Sequence, residues 1–272
     1  MLKALPRHYS KRLPVLIDPG PINGLPGWRQ AHLSEVGSTN EELKAYAKSG
    51  HDADRLWLTA GEQKTGKGRR GRNWLSPPGN FHGSVFLRDP CDQQHLGFLP
   101  LICAVAVHQA IAALLKHQSH LVEIKWPNDV LVNGAKCCGM LIEADHSNTH
   151  IQVIIGCGIN LIAHPDDTPY PATDFKTLGM DIAPSHVLHH LASSLDAVLA
   201  QWNRGKANRP ILDYWTTHAR GIGDQTIINL ADRQIEGVCE GINSQGFLLL
   251  REPSGRLNEI SAGDVFYPHM TK

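Results

Sequence analysis

The sequence predicts an α+β chain: a larger unit of interleaved helices and strands, followed by a small unit made of strands alone. Three observations carry this. Helical and strand patterns mix as far as about residue 220, whereas after Gly221 only short strand-like segments between Gly, Asn, Asp and Ser turns remain. Apolar residues make up 42% of the chain and aromatics 6%, which suits a globular fold with a sizeable core. The length of 272 residues allows one large domain or two unequal ones, at roughly 100–200 residues per domain. The expected division is a Pro/Gly-rich extension over residues 1–31, a main unit over 32–220 and a C-terminal unit over 221–272.

The extension carries Pro6, Pro14, Pro19, Pro21 and Pro26 with Gly20, Gly24 and Gly27, a density that breaks regular elements. Ser38-Thr39-Asn40 ahead of Glu41 and Glu42 reads as a capped helix start, with the helix running to about Lys48 and stopped by Gly50. Residues 55–60 read as a strand, 61–80 as a glycine-rich loop and 84–88 as a second strand. Residues 101–115 are apolar nearly all round and long enough for a buried helix. A strand over 121–126 precedes a hairpin, residues 130–142, turning on Asn133-Gly134. Residues 151–155 form a strand entering Gly156-Cys157-Gly158, and Pro184 and Pro210 open two helices. Segments 226–228, 235–242, 247–250 and 257–260 are the short strands of a small barrel.

Composition narrows the function. Lys and Arg total 26 and Asp and Glu total 26, a balance that argues against a general nucleic-acid coat or a polybasic membrane anchor. The longest apolar stretch, Leu99 to Val107, holds Pro100 and falls short of the ~20 residues of a bilayer span. No apolar h-region marks a signal peptide. Cys91, Cys103, Cys137, Cys138, Cys157 and Cys239 form no C-x-x-C pair and read as reduced, buried thiols of a cytoplasmic protein. His186, His189 and His190 share a helix face but have no carboxylate or Cys to complete a metal set, so they read as a solvated face.

The chemistry concentrates in residues 61–75, where Lys64, Lys67, Arg69, Arg70 and Arg72 face a single carboxylate, Glu62. Glycines interleaved with arginines after a strand let backbone and guanidinium groups close on an anion, a phosphate or a carboxylate. Gly61, Gly66 and Lys67 fit G-x-x-x-x-G-K, but Gly68 stands where a P-loop needs Ser or Thr, and Pro77-Pro78 forbid the following helix. Further on, Lys125-Trp126-Pro127-Asn128-Asp129 ends a strand with a cation, an aromatic, an amide and a carboxylate, and Lys136 enters an apolar strand.

Together these segments resemble the biotin protein ligases. The matching runs are S-T-N (38–40), E-Q-K-T-G-K-G-R-R-G-R-N-W (62–74), S-P-P-G (76–79), K-W-P-N-D (125–129), K-C-C-G-M-L-I-E (136–143) and G-C-G-I-N-L (156–161), with E-G-V-C-E-G-I-N-S-Q-G-F-L-L-L (236–250) resembling the family's C-terminal domain. Two positions depart from the common pattern: Lys67 stands where Arg is frequent, and Phe81-His82-Gly83 where an apolar-Tyr-apolar run is frequent. The resemblance implies a mixed β-sheet with flanking helices akin to class II aminoacyl-tRNA synthetases, plus an SH3-like barrel. Some members carry an N-terminal DNA-reading domain, and the 37 Pro/Gly-broken residues before Ser38 imply the monofunctional form, with no specific DNA binding.

The resemblance further implies ATP-dependent formation of biotinyl-5′-AMP, with Mg²⁺, and transfer of biotin to a lysine of the biotin carboxyl carrier domain of acetyl-CoA carboxylase. Ser38, Thr39, Asn40 and Gln63 would line the biotin head, with Gly139, Gly156 and Gly158 letting backbone pack beside it. Lys67, Gly68 and Arg69 would close over the carboxylate and phosphate, and Lys136 would hold the acyl oxygen. Arg70, Arg72, Trp74, Lys125, Asn128 and Asn160 would serve the nucleotide, and Asp129 would orient the metal or Arg69. Lys136, Arg69 and Asp129 are thus the catalytic candidates. The alternatives are a lipoate-protein ligase, which the polar S-T-N and Gln63 set disfavours, and a non-catalytic biotin-sensing regulator, which intact Lys136 and Arg69 disfavour. A homodimer is compatible with the sequence.

Overall fold

The computed structural model describes residues 17–146, 149–168 and 170–268. About half of the N-terminal extension, residues 1–16, therefore lies outside the described residues. Its described end is not irregular: β1 (Gly20–Pro21) pairs with β2 (Arg29–Val36), and Trp28 is buried with its Nε1–H donating to Asp196 at 2.8 Å. The break expected at 31/32 thus falls inside a strand.

From there the order is α1 (Thr39–Lys48), β3 (Leu56–Gln63), β4 (Phe81–Arg88), α2 (Leu99–Leu115), β5 (Val122–Lys125), β6 (Asp129–Val132), β7 (Ala135–His146) and β8 (Ile151–Ile159). Two helices follow, α3 (Pro184–Trp202) and α4 (Asn208–His218). The eight strands form one sheet in the order β1-β2-β3-β4-β8-β7-β6-β5, mixed because β2 and β3 run parallel while the other neighbours are antiparallel. The β6–β7 hairpin turns on Asn133 and Gly134, both at positive φ (50° and 73°), the conformation an Asn-Gly turn of this kind requires. The C-terminal strands β9 (Gln225–Asn229), β10 (Gln234–Ile242), β11 (Leu248–Arg251), β12 (Leu257–Ile260) and β13 (Asp264–Phe266) form an antiparallel sheet in the order β12-β11-β10-β9-β13.

Strand alternation divides the core. Trp57, Val85, Ile155 and Ile159 point to the face covered by α2 and α3, whereas Leu56, Leu58, Phe86 and Ile154 join Leu43 of α1 on the opposite face. With its flanking 3₁₀ turns α2 spans Gln93–Leu121, long and apolar enough to cross a membrane by length and composition, which uninterrupted apolar runs do not reveal. Its most apolar window is 78% buried inside the fold, as a core helix is. All six cysteines are free and buried, and among the described residues no group of three His, Cys, Asp or Glu side chains stands ready to hold a metal. His186 and His189 are exposed.

One buried histidine makes stability pH-dependent. His108 on α2 faces the Val122 carbonyl with Nε2 at 3.0 Å, so Nε2 carries the proton and Nδ1 accepts from the Tyr214 hydroxyl at 2.9 Å. The His218 ring lies 4.5 Å away. Burial pulls the His108 pKa down to about 4. An unfolded histidine titrates near 6.5, so this contribution is complete above pH 6.5 and is lost as pH falls from there toward 4. About 2 kcal/mol of it is expected to disappear between pH 6.5 and 5. Denaturant midpoints of the native chain and His108→Gln should converge by that amount across this range; parallel profiles would refute the assignment.

Candidate active site

A cavity opens on the α1 face of the large sheet, bounded by the start of α1, the loop after β3, the glycine-rich stretches of β7 and β8, Tyr170 and the Asp264–Phe266 strand of the C-terminal sheet. Ser38, Thr39, Asn40, Gln63, Lys67, Gly68, Arg69, Arg72, Trp74, Lys125, Asp129, Lys136, Gly139, Gly156 and Gly158 all line it.

The polar end is a hydrogen-bonded bracket. Gln63 Oε1 lies 2.9 Å from Thr39 N and 3.0 Å from Thr39 Oγ1, while its Nε2 donates to Ser76 Oγ at 3.0 Å. Thr39 Oγ1 also meets Ser84 Oγ at 2.6 Å, Ser84 donates to Asn40 Oδ1 at 2.5 Å, and Asn40 Nδ2 donates to Glu143 at 2.6 Å. Ser38 occupies the N-cap position of α1 but makes no side-chain capping bond, and Thr39 and Asn40 are buried in the bracket. The S-T-N run therefore starts the helix where expected, while its side chains face the cavity side of the sheet.

The glycines make room for protein groups. A Cβ at 156 would lie 2.5 Å from Asn40 Oδ1, one at 158 would lie 2.2 Å from Trp74 Nε1, and one at 139 would lie 2.8 Å from the Trp74 ring. Their bare backbone seats the Trp74 indole on β7 and β8 and the Asn40 amide on β8.

At the charged end Lys136 Nζ is 2.8 Å from Asp129 Oδ1, with side chains only 15% and 19% exposed. Burial by itself lowers the Lys136 pKa, but the Asp129 carboxylate outweighs it and the net shift is upward. Burial pushes Asp129 up, and Lys136, Lys125 and Arg69 more than reverse this, leaving it below the usual carboxylate range. Lys136 Nζ lies 5.6 Å from the Trp74 ring and 5.4 Å from Tyr170, and Lys125 Nζ faces Tyr170 and Phe266 at 5.2 and 5.6 Å. Burial draws the Lys125 pKa down, with Lys136 acting in the same direction and Asp129 against it. This wall holds fixed positive charge in a desolvated setting, where it acts strongly on an anion.

The arginine loop folds on itself and onto the C-terminal sheet. Gly68 N–H donates to Arg72 O at 2.7 Å and Trp74 N–H to Gly66 O at 2.9 Å. Arg69 donates to Asn128 Oδ1 at 2.7 Å and to the Gly263 carbonyl at 2.8 Å, while Arg70 and Arg72 reach Asp264 at 3.1 and 3.0 Å. Lys67 bonds Glu41 at 2.8 Å on the cavity rim. Burial lowers the Arg69 pKa, and Asp264 and Asp129 oppose that shift.

Three expected nucleotide residues lie off the cavity. Asn128 is buried, takes Arg69 on Oδ1 and donates to Met140 O at 2.6 Å, so it positions the loop arginine. Asn160 is buried and donates to Thr173 O at 3.1 Å, bracing the segment after β8. Arg70 points to Asp264 and the Asn229 carbonyl. Conversely, sequence reading missed Ser84, Glu143, Tyr170, Asp264 and Phe266. Period-two alternation could have found two of them: Ser84 lies two residues from His82 on β4, and Glu143 falls on the Gly139–Leu141 side of β7. The other three come from distant segments with no local signal.

Comparison with known proteins agrees with this geometry. The profile of the Biotin/lipoate A/B protein ligase family matches residues 35–160, and that of the Biotin protein ligase C terminal domain matches residues 221–267. The chain is similar to the biotin–[acetyl-CoA-carboxylase] ligase of Paracoccus denitrificans, at 34% identity covering 86% of this chain and 99% of that one. The Mycobacterium tuberculosis ligase of the same name is 33% identical, over 89% and 90% of the two chains. Among solved structures, the Aquifex aeolicus biotin protein ligase in complex with biotin and ATP superposes with a TM-score of 0.76 at 25% identity, over 88% of this chain and 98% of that one. With the cavity, the arginine loop and both matched segments in one chain, it belongs to the biotin protein ligase family.

Proposed function

We propose that this chain activates biotin with ATP to biotinyl-5′-AMP and transfers the biotinyl group to a lysine of a biotin carboxyl carrier domain, such as that of acetyl-CoA carboxylase. The observation that carries this is one cavity joining a polar bracket, a buried lysine and an arginine loop. In the first step a biotin carboxylate oxygen attacks the α-phosphorus and pyrophosphate leaves. In the second, the carrier lysine amine attacks the acyl carbon and AMP leaves. The first step joins two anions and gathers charge on the phosphoryl oxygens and pyrophosphate, the second gathers it on the acyl oxygen and the leaving AMP, and fixed cations stabilise both.

In this reading Thr39, Asn40 and Gln63 face the ureido head, Lys136 holds the acyl oxygen, and Arg69, Arg72, Lys67 and Lys125 neutralise carboxylate and phosphates. Asp129 is tied to Lys136, which leaves little carboxylate for a resident metal. Mg²⁺ would arrive on the nucleotide phosphates, with Asp129 and Asp264 as the carboxylates of the described cavity wall, a usual arrangement for this ion. Residues up to 220 form the catalytic unit and 221–272 a C-terminal unit that closes its rim through Asp264. The likeness to class II aminoacyl-tRNA synthetases and to an SH3 barrel rests on the family resemblance.

The test is pyrophosphate release with ATP and Mg²⁺. Biotin should support it, and lipoate, whose dithiolane lacks N–H donors for the bracket, should support less than about a tenth of that rate at equal concentration. Equal release with lipoate would sink the biotin reading.

A further inference from the structure

We propose that Glu143 is a positioning residue that fixes the amide of Asn40 and thereby makes the head-group bracket an acceptor surface. This rests on the reading that the cavity takes biotin. Glu143 is half-buried on β7, outside the cavity lining, and its Oε2 lies 2.6 Å from Asn40 Nδ2. A carboxylate only accepts, so the atom facing it must be the amide nitrogen, and Asn40 Oδ1 must face Ser84. Gly156 leaves room for this arrangement, because a side chain there would displace the Asn40 amide.

The hydroxyl protons then have a forced direction. Thr39 and Ser84 supply one each, yet three contacts compete for them: Thr39 to Gln63, Thr39 to Ser84 and Ser84 to Asn40. With Asn40 Oδ1 turned toward it, Ser84 donates to Asn40 and cannot donate to Thr39. Thr39 has one proton to share between Ser84 and Gln63 Oε1, and Gln63 Oε1 already accepts the Thr39 backbone N–H. The bracket is therefore short of protons and rich in lone pairs. A cyclic urea, with two N–H donors, supplies what is missing. If the Asn40 amide were reversed, its Nδ2 would donate to Ser84, Ser84 would donate to Thr39 Oγ1 at 2.6 Å and Thr39 to Gln63, and the bracket would lose the lone-pair excess that takes those N–H groups.

The experiment compares Glu143→Gln, Glu143→Ala and Glu143→Met by calorimetric biotin binding and steady-state adenylate formation, with thermal unfolding as a check on folding. Glutamine keeps an acceptor oxygen and should bind biotin within about threefold of the native chain. Alanine and methionine remove it and should weaken biotin about tenfold or more, with KM for ATP and kcat at saturating biotin unchanged. If the alanine variant fails to fold, the near-isosteric methionine variant gives the reading. Glutamine weakening biotin as much as alanine, or KM for ATP rising in parallel, would overturn the proposal, as would unchanged biotin affinity in the alanine and methionine variants. A native chain that binds no biotin would instead overturn the functional reading, and this inference with it.

Discussion

Lys136→Ala is expected to slow both half-reactions by about 10²–10³-fold, the usual loss when one preorganised donor is removed from a developing oxyanion. The Lys136 ammonium is held between Asp129 at 2.8 Å and the Trp74 and Tyr170 rings, with only 15% of its side chain exposed. Asp129 keeps it protonated, so it stays cationic without a ligand. In the first step the ammonium offsets the repulsion between the biotin carboxylate and the phosphates and holds the attacking group in place, and in the second it stabilises the charge that builds on the acyl oxygen as the carrier amine attacks, which is why both steps should suffer. The substitution also strands Asp129 with Lys125 and Arg69 as its remaining cations, and breaking a buried pair costs about 3–5 kcal/mol of stability. Thermal unfolding and single-turnover rates must therefore be read together, with the double variant Lys136→Ala/Asp129→Asn as a second probe that removes the stranded charge. A folded variant that transfers biotin from supplied biotinyl-AMP at the native rate would confine Lys136 to activation.

Much of the frame was legible, for local reasons. The bounds of α1 follow from S-T-N and Gly50, although Ser38 makes no capping bond and its neighbours are held by the bracket instead. Asn133-Gly134 announced its hairpin because few dipeptides tolerate two successive positive φ angles. The strands were read too short where they enter the site. β3 continues through Gly61-Glu62-Gln63 and β4 begins at Phe81-His82-Gly83, segments whose glycines and polar groups look like loop. Gln63 and Gly83 line the cavity, whereas Phe81 and His82 are buried in the fold. β2 was hidden by the prolines and glycines before it, although it buries Ala31 and Val36. Asp264 shows the deeper limit: its pairing with Arg70 and Arg72 crosses more than 190 residues, and nothing local marks the first carboxylate of a short strand as the partner of that loop.

Arg69→Gly is expected to separate synthesis of the adenylate from its retention. Arg69 ties the loop to two places at once, Asn128 Oδ1 in the β5–β6 turn and the Gly263 carbonyl of the C-terminal unit. Glycine removes both charge-assisted bonds and adds backbone freedom beside Arg70, which already stands at positive φ. Arg70 and Arg72 remain on Asp264, and Lys136 remains on the acyl side, so cations sufficient for activation persist. The lid should then open more often over a formed intermediate. The released-to-retained ratio of biotinyl-AMP is expected to rise about tenfold or more, the loss of one hydrogen bond to a charged group, while total synthesis falls by less. Escaped adenylate acylates any accessible amine, so bystander proteins should become biotinylated without docking. Rapid filtration after a single turnover measures the ratio, and labelling of an added protein with no carrier domain measures the escape. The opposite pattern, adenylate synthesis abolished while supplied biotinyl-AMP stays bound, would make Arg69 an activation residue and leave the lid to Lys67 and Arg72.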